Sequence, residues 1–224
     1  MTLASRLAAV DERIADAARA VGRDAAGITR IVVTKFHPAS LIRELYALGV
    51  RDVGENRGQE LIAKRQEIVG LDGLRWNFIG QLQSKKARSV RAASDTVHSI
   101  DRDKLVSALD APGEGLLDVL VQVNLTDDAG RGGVSPHGLE ALAERIEASS
   151  SLRLRGVMAV APLEEPAASA FERLAGYAER VRAVSPAATW ISAGMSHDYA
   201  EAIAHGATHL RIGSAITGPR PQQV

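Results

Sequence analysis

Apolar positions along this chain follow two alternating rhythms. In the first twenty residues Leu3, Leu7, Val10 and Ile14 recur three and four apart, with Asp11, Glu12, Arg13 and Asp16 among them. That spacing predicts an amphipathic helix rather than a cleavable leader. Beyond it, short runs rich in Val, Ile and Leu are each followed by a helical periodicity. RIVVTK (30–35) leads into a helix over 38–49, RDVGE (51–55) into 56–69, and LRWNFIG (74–80) into 84–93. TVHSI (96–100) leads into 101–110, and LLDVLVQVNL (116–125) passes through a Gly-rich loop into 135–149. LRLRGVMAV (152–160) leads into 165–184, ATWISAG (188–194) into 196–206, and THLRIG (208–213) into the short SAITG, 214–218. Strands separated by crossover helices make parallel sheets. Eight such units predict an α/β protein, a single (β/α)8 TIM-like barrel with an extra N-terminal helix. A doubly wound open sheet is the structural alternative. No Ser- or Pro-rich linker divides the chain, so residues 1–224 read as one domain.

Composition narrows the function classes. Of 224 residues, 46% are apolar, and 27 Lys and Arg balance 27 Asp and Glu. A net charge of zero gives no bulk attraction to nucleic acid or to an anionic membrane surface. The absence of cysteine removes disulfides, thiolate nucleophiles and cysteine-ligated zinc, and fits a cytoplasmic location. No apolar run approaches the ~18 residues that span a bilayer.

The candidate chemistry gathers at strand ends. Two consecutive βα junctions, SAGMSHD (192–198) and RIGSAITG (211–218), each place Gly and then Ser at the start of a helical pattern. A helix N-terminus with free N–H groups is an anion site, and barrels often hold phosphate on the loops after strands seven and eight. Plain N-capping is the alternative for Ser196 and for Ser214. Lys35 ends the first strand and alternates with Val33 and Ile31, which sets it on their face of the strand. A barrel would bring it beside strand eight and the Gly-Ser loops. There it is either a solvated strand end, a charge clamp, or a Schiff-base lysine for a phosphosugar or pyridoxal phosphate. Arg211 alternates with His209 and Gly213, opposite Leu210 and Ile212, and is either a cation facing a ligand or half of a structural ion pair. Asn56, in GENRGQE, either lines the same pocket or caps the next helix. AGRGGV (129–134) reads as a flexible loop rather than a nucleotide loop, and the six histidines show no metal-ligand spacing.

VTKFHP, GENRGQE, WNFIGQLQSKK, GVMAV, GMSHD and LRIGSAITG resemble, in order and over nearly the whole chain, the pyridoxal phosphate homeostasis proteins of the YggS/PROSC type. That family is similar to the N-terminal barrel of alanine racemase, the type III fold of pyridoxal phosphate (PLP) proteins. The resemblance implies PLP held as a Schiff base on Lys35. It implies phosphate contacts at Ser196, Gly213 and Ser214, Arg211 near the pyridine nitrogen, and Met195 and Asn56 as neighbours. Asn77 stands where the family has His, Lys85 where it has Asn, and PRPQQV replaces an aromatic end, so no role is carried to those positions.

The expected function is therefore a cytoplasmic, monomeric PLP-binding protein of vitamin B6 homeostasis. Its partners would be PLP and apo forms of PLP enzymes as recipients, with no metal and no catalytic residue of its own. An alanine racemase needs a tyrosine from a second domain, which the sequence does not show. The alternatives are a racemase-like PLP enzyme and a Schiff-base aldolase acting on a phosphosugar.

Overall fold

The computed structural model describes residues 1–128 and 130–219. Eight parallel strands close into a barrel in chain order: β1 (Thr29–Val33), β2 (Asp52–Glu55), β3 (Arg75–Phe78), β4 (Thr96–Ile100), β5 (Leu117–Gln122), β6 (Leu152–Met158), β7 (Trp190–Ser192) and β8 (His209–Ile212). The closing pair sets Ile31 opposite Arg211 and Val32 opposite Ile212. The open-sheet alternative is thereby removed.

The strands read as nearly continuous apolar runs because both of their faces are buried. Val32, Val53, Trp76, Val97, Val119, Leu210 and Ile212 join helix residues such as Ile42, Leu61 and Leu174 in one apolar layer. The other face fills the barrel lumen, where space is short. A Cβ on Gly54 would lie 2.9 Å from Ile31 Cγ2.

The helices are α1 (Leu3–Ala20), α2 (Ala39–Ala47), α3 (Gly58–Glu67), α4 (Ala87–Ala93), α5 (Asp103–Leu109), α6 (Leu139–Glu147), α7 (Ala167–Val184), α8 (Tyr199–Ala204) and α9 (Ser214–Thr217). The extra helix α1 is the expected amphipathic one. Thr2 caps it through Ser5 N–H at 3.1 Å, and its buried stripe is Leu7, Val10, Ile14 and Ala18. Arg6 Nε donates to Ile216 O at 2.6 Å, which ties α1 to the last turn of α9.

Two boundaries next to the strand ends, and the state of one loop, differ from the sequence reading. β1 stops at Val33, so Lys35 lies in a turn beyond the strand. α8 begins at Tyr199 rather than Ser196. The Gly-rich loop is pinned rather than free: Val134 N–H donates to Gln122 O at 2.8 Å, and Asn124 N–H to Val134 O at 2.9 Å. Ala129 of that loop, and most of the closing PRPQQV (220–224), lie outside the described residues. Among the described residues no helix is long and apolar enough to cross a membrane.

Candidate functional site

A cavity of about 360 Å³ opens at the carboxyl ends of the strands, and all seven residues singled out in the sequence line it. Lys35 comes from the turn after β1 and Asn56 from the turn after β2. Met195 and Ser196 follow β7, while Arg211, Gly213 and Ser214 come from β8 and the start of α9. Two larger hollows, of about 960 and 450 Å³, have neither Lys35 nor Arg211 in their walls.

None of the three capping alternatives holds. The N-cap of α8 is Asp198, that of α9 is Gly213 and that of α3 is Arg57. Ser196 instead sits in a tight turn closed by Asp198, whose Oδ1 accepts from Met195 N–H at 2.5 Å. Gly194 makes that turn possible. Its φ is +89°, and a Cβ there would lie 2.7 Å from the Ala202 Cβ. Such a backbone conformation belongs to glycine. Ser214 is the first residue of α9, and the leading N–H groups of a helix have no acceptor within it. Asn56 Oδ1 is buried with no hydrogen-bond partner, an acceptor left over at the cavity wall.

Arg211 is 4% exposed, and among the described residues its guanidinium donates only to neutral groups: Ser192 O at 2.6 Å, Ser192 Oγ at 2.8 Å and Ala159 O at 2.8 Å. Burial pushes its pKa down to about 10, with Asp198 opposing, so it remains a cation at neutral pH. The structural ion pair is not what holds it. A buried cation without a bonded anion, an orphaned carbonyl oxygen and a helix start fit a ligand that carries a ring acceptor, a hydrogen-bond donor and a phosphate, respectively.

Behind Arg211 runs a polar chain that the sequence reading missed. Ser192 Oγ lies 3.0 Å from His98 Nδ1, and His98 Nε2 lies 3.1 Å from Asn77 Oδ1. Asn77 Nδ2 in turn donates to Val53 O at 3.2 Å and to Asp52 Oδ1 at 3.4 Å. An amide oxygen only accepts, so His98 carries its proton on Nε2. Its Nδ1 then accepts from the Ser192 hydroxyl, whose oxygen accepts from Arg211. Burial first, then the charges of His209 and Arg211, hold the His98 pKa well below the usual histidine value. Donation thus runs in one direction, from Arg211 through Ser192 and His98 to Asn77. The one available signal was a polar residue at a lumen-facing position in each of three short apolar strands. Replacing Ser192 with alanine should cost about 1–3 kcal/mol, because His98 Nδ1 loses its donor in a site closed to water. Urea unfolding at pH 7 measures it, and an unchanged midpoint would mean that the chain carries no stability.

Comparison with known proteins agrees with this fold. The family model described as the alanine racemase N-terminal domain matches residues 6–221. The pyridoxal phosphate homeostasis protein of Pseudomonas aeruginosa is 41% identical over 225 residues, covering 98% of this chain and 96% of its own. The PipY protein of Synechococcus elongatus PCC7942, solved with PLP bound, superposes with a TM-score of 0.84 at 34% identity, over 97% of this chain and 100% of its own. Alanine racemase of Corynebacterium glutamicum shares the fold, with a TM-score of 0.71 at 14% identity, over 96% of this chain and 61% of its own. Matched by that family model over residues 6–221 and by that relative nearly end to end, the chain belongs to the pyridoxal phosphate homeostasis proteins, within the alanine racemase N-terminal domain family.

Proposed function

We propose that the chain binds PLP in the barrel-mouth cavity through Lys35 and serves the supply and storage of that cofactor, without turning over an amino acid. The observation that carries this reading is the convergence, in one cavity, of Lys35, the buried Arg211 and the Gly-Ser loops after β7 and β8. Bound there, PLP supplies an aldehyde for the lysine amine and a phosphate for the loops. Ser196, Ser214 and the first N–H groups of α9 take the phosphate. Arg211 faces the pyridine nitrogen and keeps it unprotonated, which makes the ring a weaker electron sink than one paired with aspartate. That suits storage better than carbanion chemistry. The homeostasis relative matches nearly end to end, whereas the racemase matches over 61% of its length. The protein acts as a cytoplasmic monomer and passes PLP to apo-enzymes that need it.

Ligand titration tests the phosphate half. A hydrogen bond to a charged group contributes ~1.5–3 kcal/mol, so Ser196→Ala should weaken PLP by about one to two powers of ten. Equal affinity for PLP and for unphosphorylated pyridoxal would remove the phosphate site. Racemase or transaminase turnover at ~1 s⁻¹ or more in the wild type, absent from Lys35→Ala, would make the protein an enzyme instead.

A further inference from the structure

We infer that Glu60 and Lys64, on α3, are positioning residues that hold the Lys35 turn in the geometry needed for Schiff-base formation; the inference rests on the reading of Lys35 given above. The two residues are four apart and therefore share a helix face. That face is turned towards the end of β1 rather than to water, and Lys64 is 7% exposed. Its Nζ donates to Thr34 O at 2.8 Å and to Glu55 Oε1 at 2.6 Å. Glu60 Oε2 accepts from Phe36 N–H at 2.8 Å and lies 3.6 Å from Lys64 Nζ. The residues on both sides of Lys35 are thus fastened to one helix through their backbone. Thr34 is fastened twice, since its hydroxyl donates to Glu55 Oε1 at 2.6 Å.

What needs fastening is visible in the backbone. Phe36 has a φ of +68°, the only positive value at a non-glycine residue among those described. A bulky side chain avoids that region, and such a residue persists only where its surroundings over-determine it. Here they do: Glu60 takes its N–H, and the Arg57 guanidinium lies over its ring at 4.8 Å.

The ions themselves are an expensive choice. Glu55 is fully buried, its Oε2 has no partner, and burial raises its pKa against the hydrogen bonds from Lys64 and Thr34. Apolar residues of similar size would often serve stability as well or better. They could not bond a carbonyl and an N–H on either side of a lysine. Schiff-base formation joins the amine nitrogen to the aldehyde carbon and expels the carbonyl oxygen as water. Its rate depends on holding that nitrogen in line with a ligand already fixed by its phosphate.

Lys64→Met would strand the Glu55 carboxylate, so the partly exposed Glu60 is the better handle. The probes are PLP and pyridoxine phosphate, which has an alcohol in place of the aldehyde and cannot form the bond. In Glu60→Ala, the borohydride-trapped adduct on Lys35 should form at least about tenfold more slowly, while pyridoxine phosphate affinity stays within about twofold. Glu60→Gln, which keeps an acceptor for Phe36 N–H, should recover most of the rate. Adding Phe36→Gly to Glu60→Ala should also recover it, since glycine adopts the turn without strain. A wild-type rate in Glu60→Ala overturns the inference, and so does a parallel loss of pyridoxine phosphate binding. A wild type that forms no adduct at Lys35 instead removes the Schiff-base reading itself, and this inference with it.

Discussion

Lys35→Ala should abolish the borohydride-fixed pyridoxyl adduct entirely while leaving measurable PLP binding. Lys35 is the lysine in the wall of the barrel-mouth cavity. Lys64 is committed to Thr34 and Glu55. Lys85 and Lys86 lie in a separate 3-10 turn after β3, and Lys86 faces the hollow of about 450 Å³. Removal of the amine deletes the covalent bond but not the serine loops or Arg211, so phosphate recognition should persist at reduced affinity. Lys35→Arg should lose the adduct equally, because a guanidinium keeps the charge without a nucleophilic amine. Absorbance before reduction and peptide mass after it are the measurements. An adduct on Lys85 or Lys86 in the wild type, with Lys35→Ala spectrally unchanged, would refute the assignment.

Mild acid should unfold the protein. His98 and His209 are both buried in the barrel lumen. Burial is the largest cause of both shifts: it pushes the pKa of His209 from 6.5 to about 3 and that of His98 well below 6.5. Below pH 6.5 the unfolded chain therefore binds two protons that the folded chain refuses. Stability rises with pH wherever the unfolded state holds more protons, so it falls on acidification through this window. For His209 the slope is about 1.4 kcal/mol per pH unit, or about 2 kcal/mol between pH 6.5 and 4.5, and His98 adds to the loss in the same direction. A domain has only about 5–15 kcal/mol to lose. Glu55 works in the opposite sense: its raised pKa lets the folded protein take up a proton first. Urea midpoints should fall from pH 7 to 6 to 5, and His209→Phe should make that fall shallower. Equal midpoints from pH 6.5 to 5 would mean that the lumen accepts charged histidine.

The barrel was legible because its strands are buried on both faces, which leaves short apolar runs between helical periodicities. Lys35 was found through its alternation with Val33, although the strand stops before it. Arg211 was found because Leu210 and Ile212 claim the outer face. The capping readings of Ser196, Ser214 and Asn56 were wrong for a local reason. A cap is set by the φ and ψ of one residue, and Asp198, Gly213 and Arg57 hold those positions. Asn77, His98 and Ser192 sit in different strands, and only barrel closure lines them up. Nothing in the sequence singles out Glu60 and Lys64, which stand four apart on α3. Their target, the backbone beside Lys35, is joined to them by tertiary contact alone.

The seam where β8 meets β1 has a consequence for how the protein is made. Lys35 lies on one side of it, and Arg211 and Ser214 lie on the other. Arg6 then fastens α1 to α9 across a separation of 210 residues. A growing chain presents Lys35 well before it gains Ser214 of α9. Such a chain can meet the vitamin's aldehyde before it has anything to grip the phosphate. If the cofactor is held as proposed, stable capture should wait for ring closure, and partly made or locally opened chains should hold it only weakly.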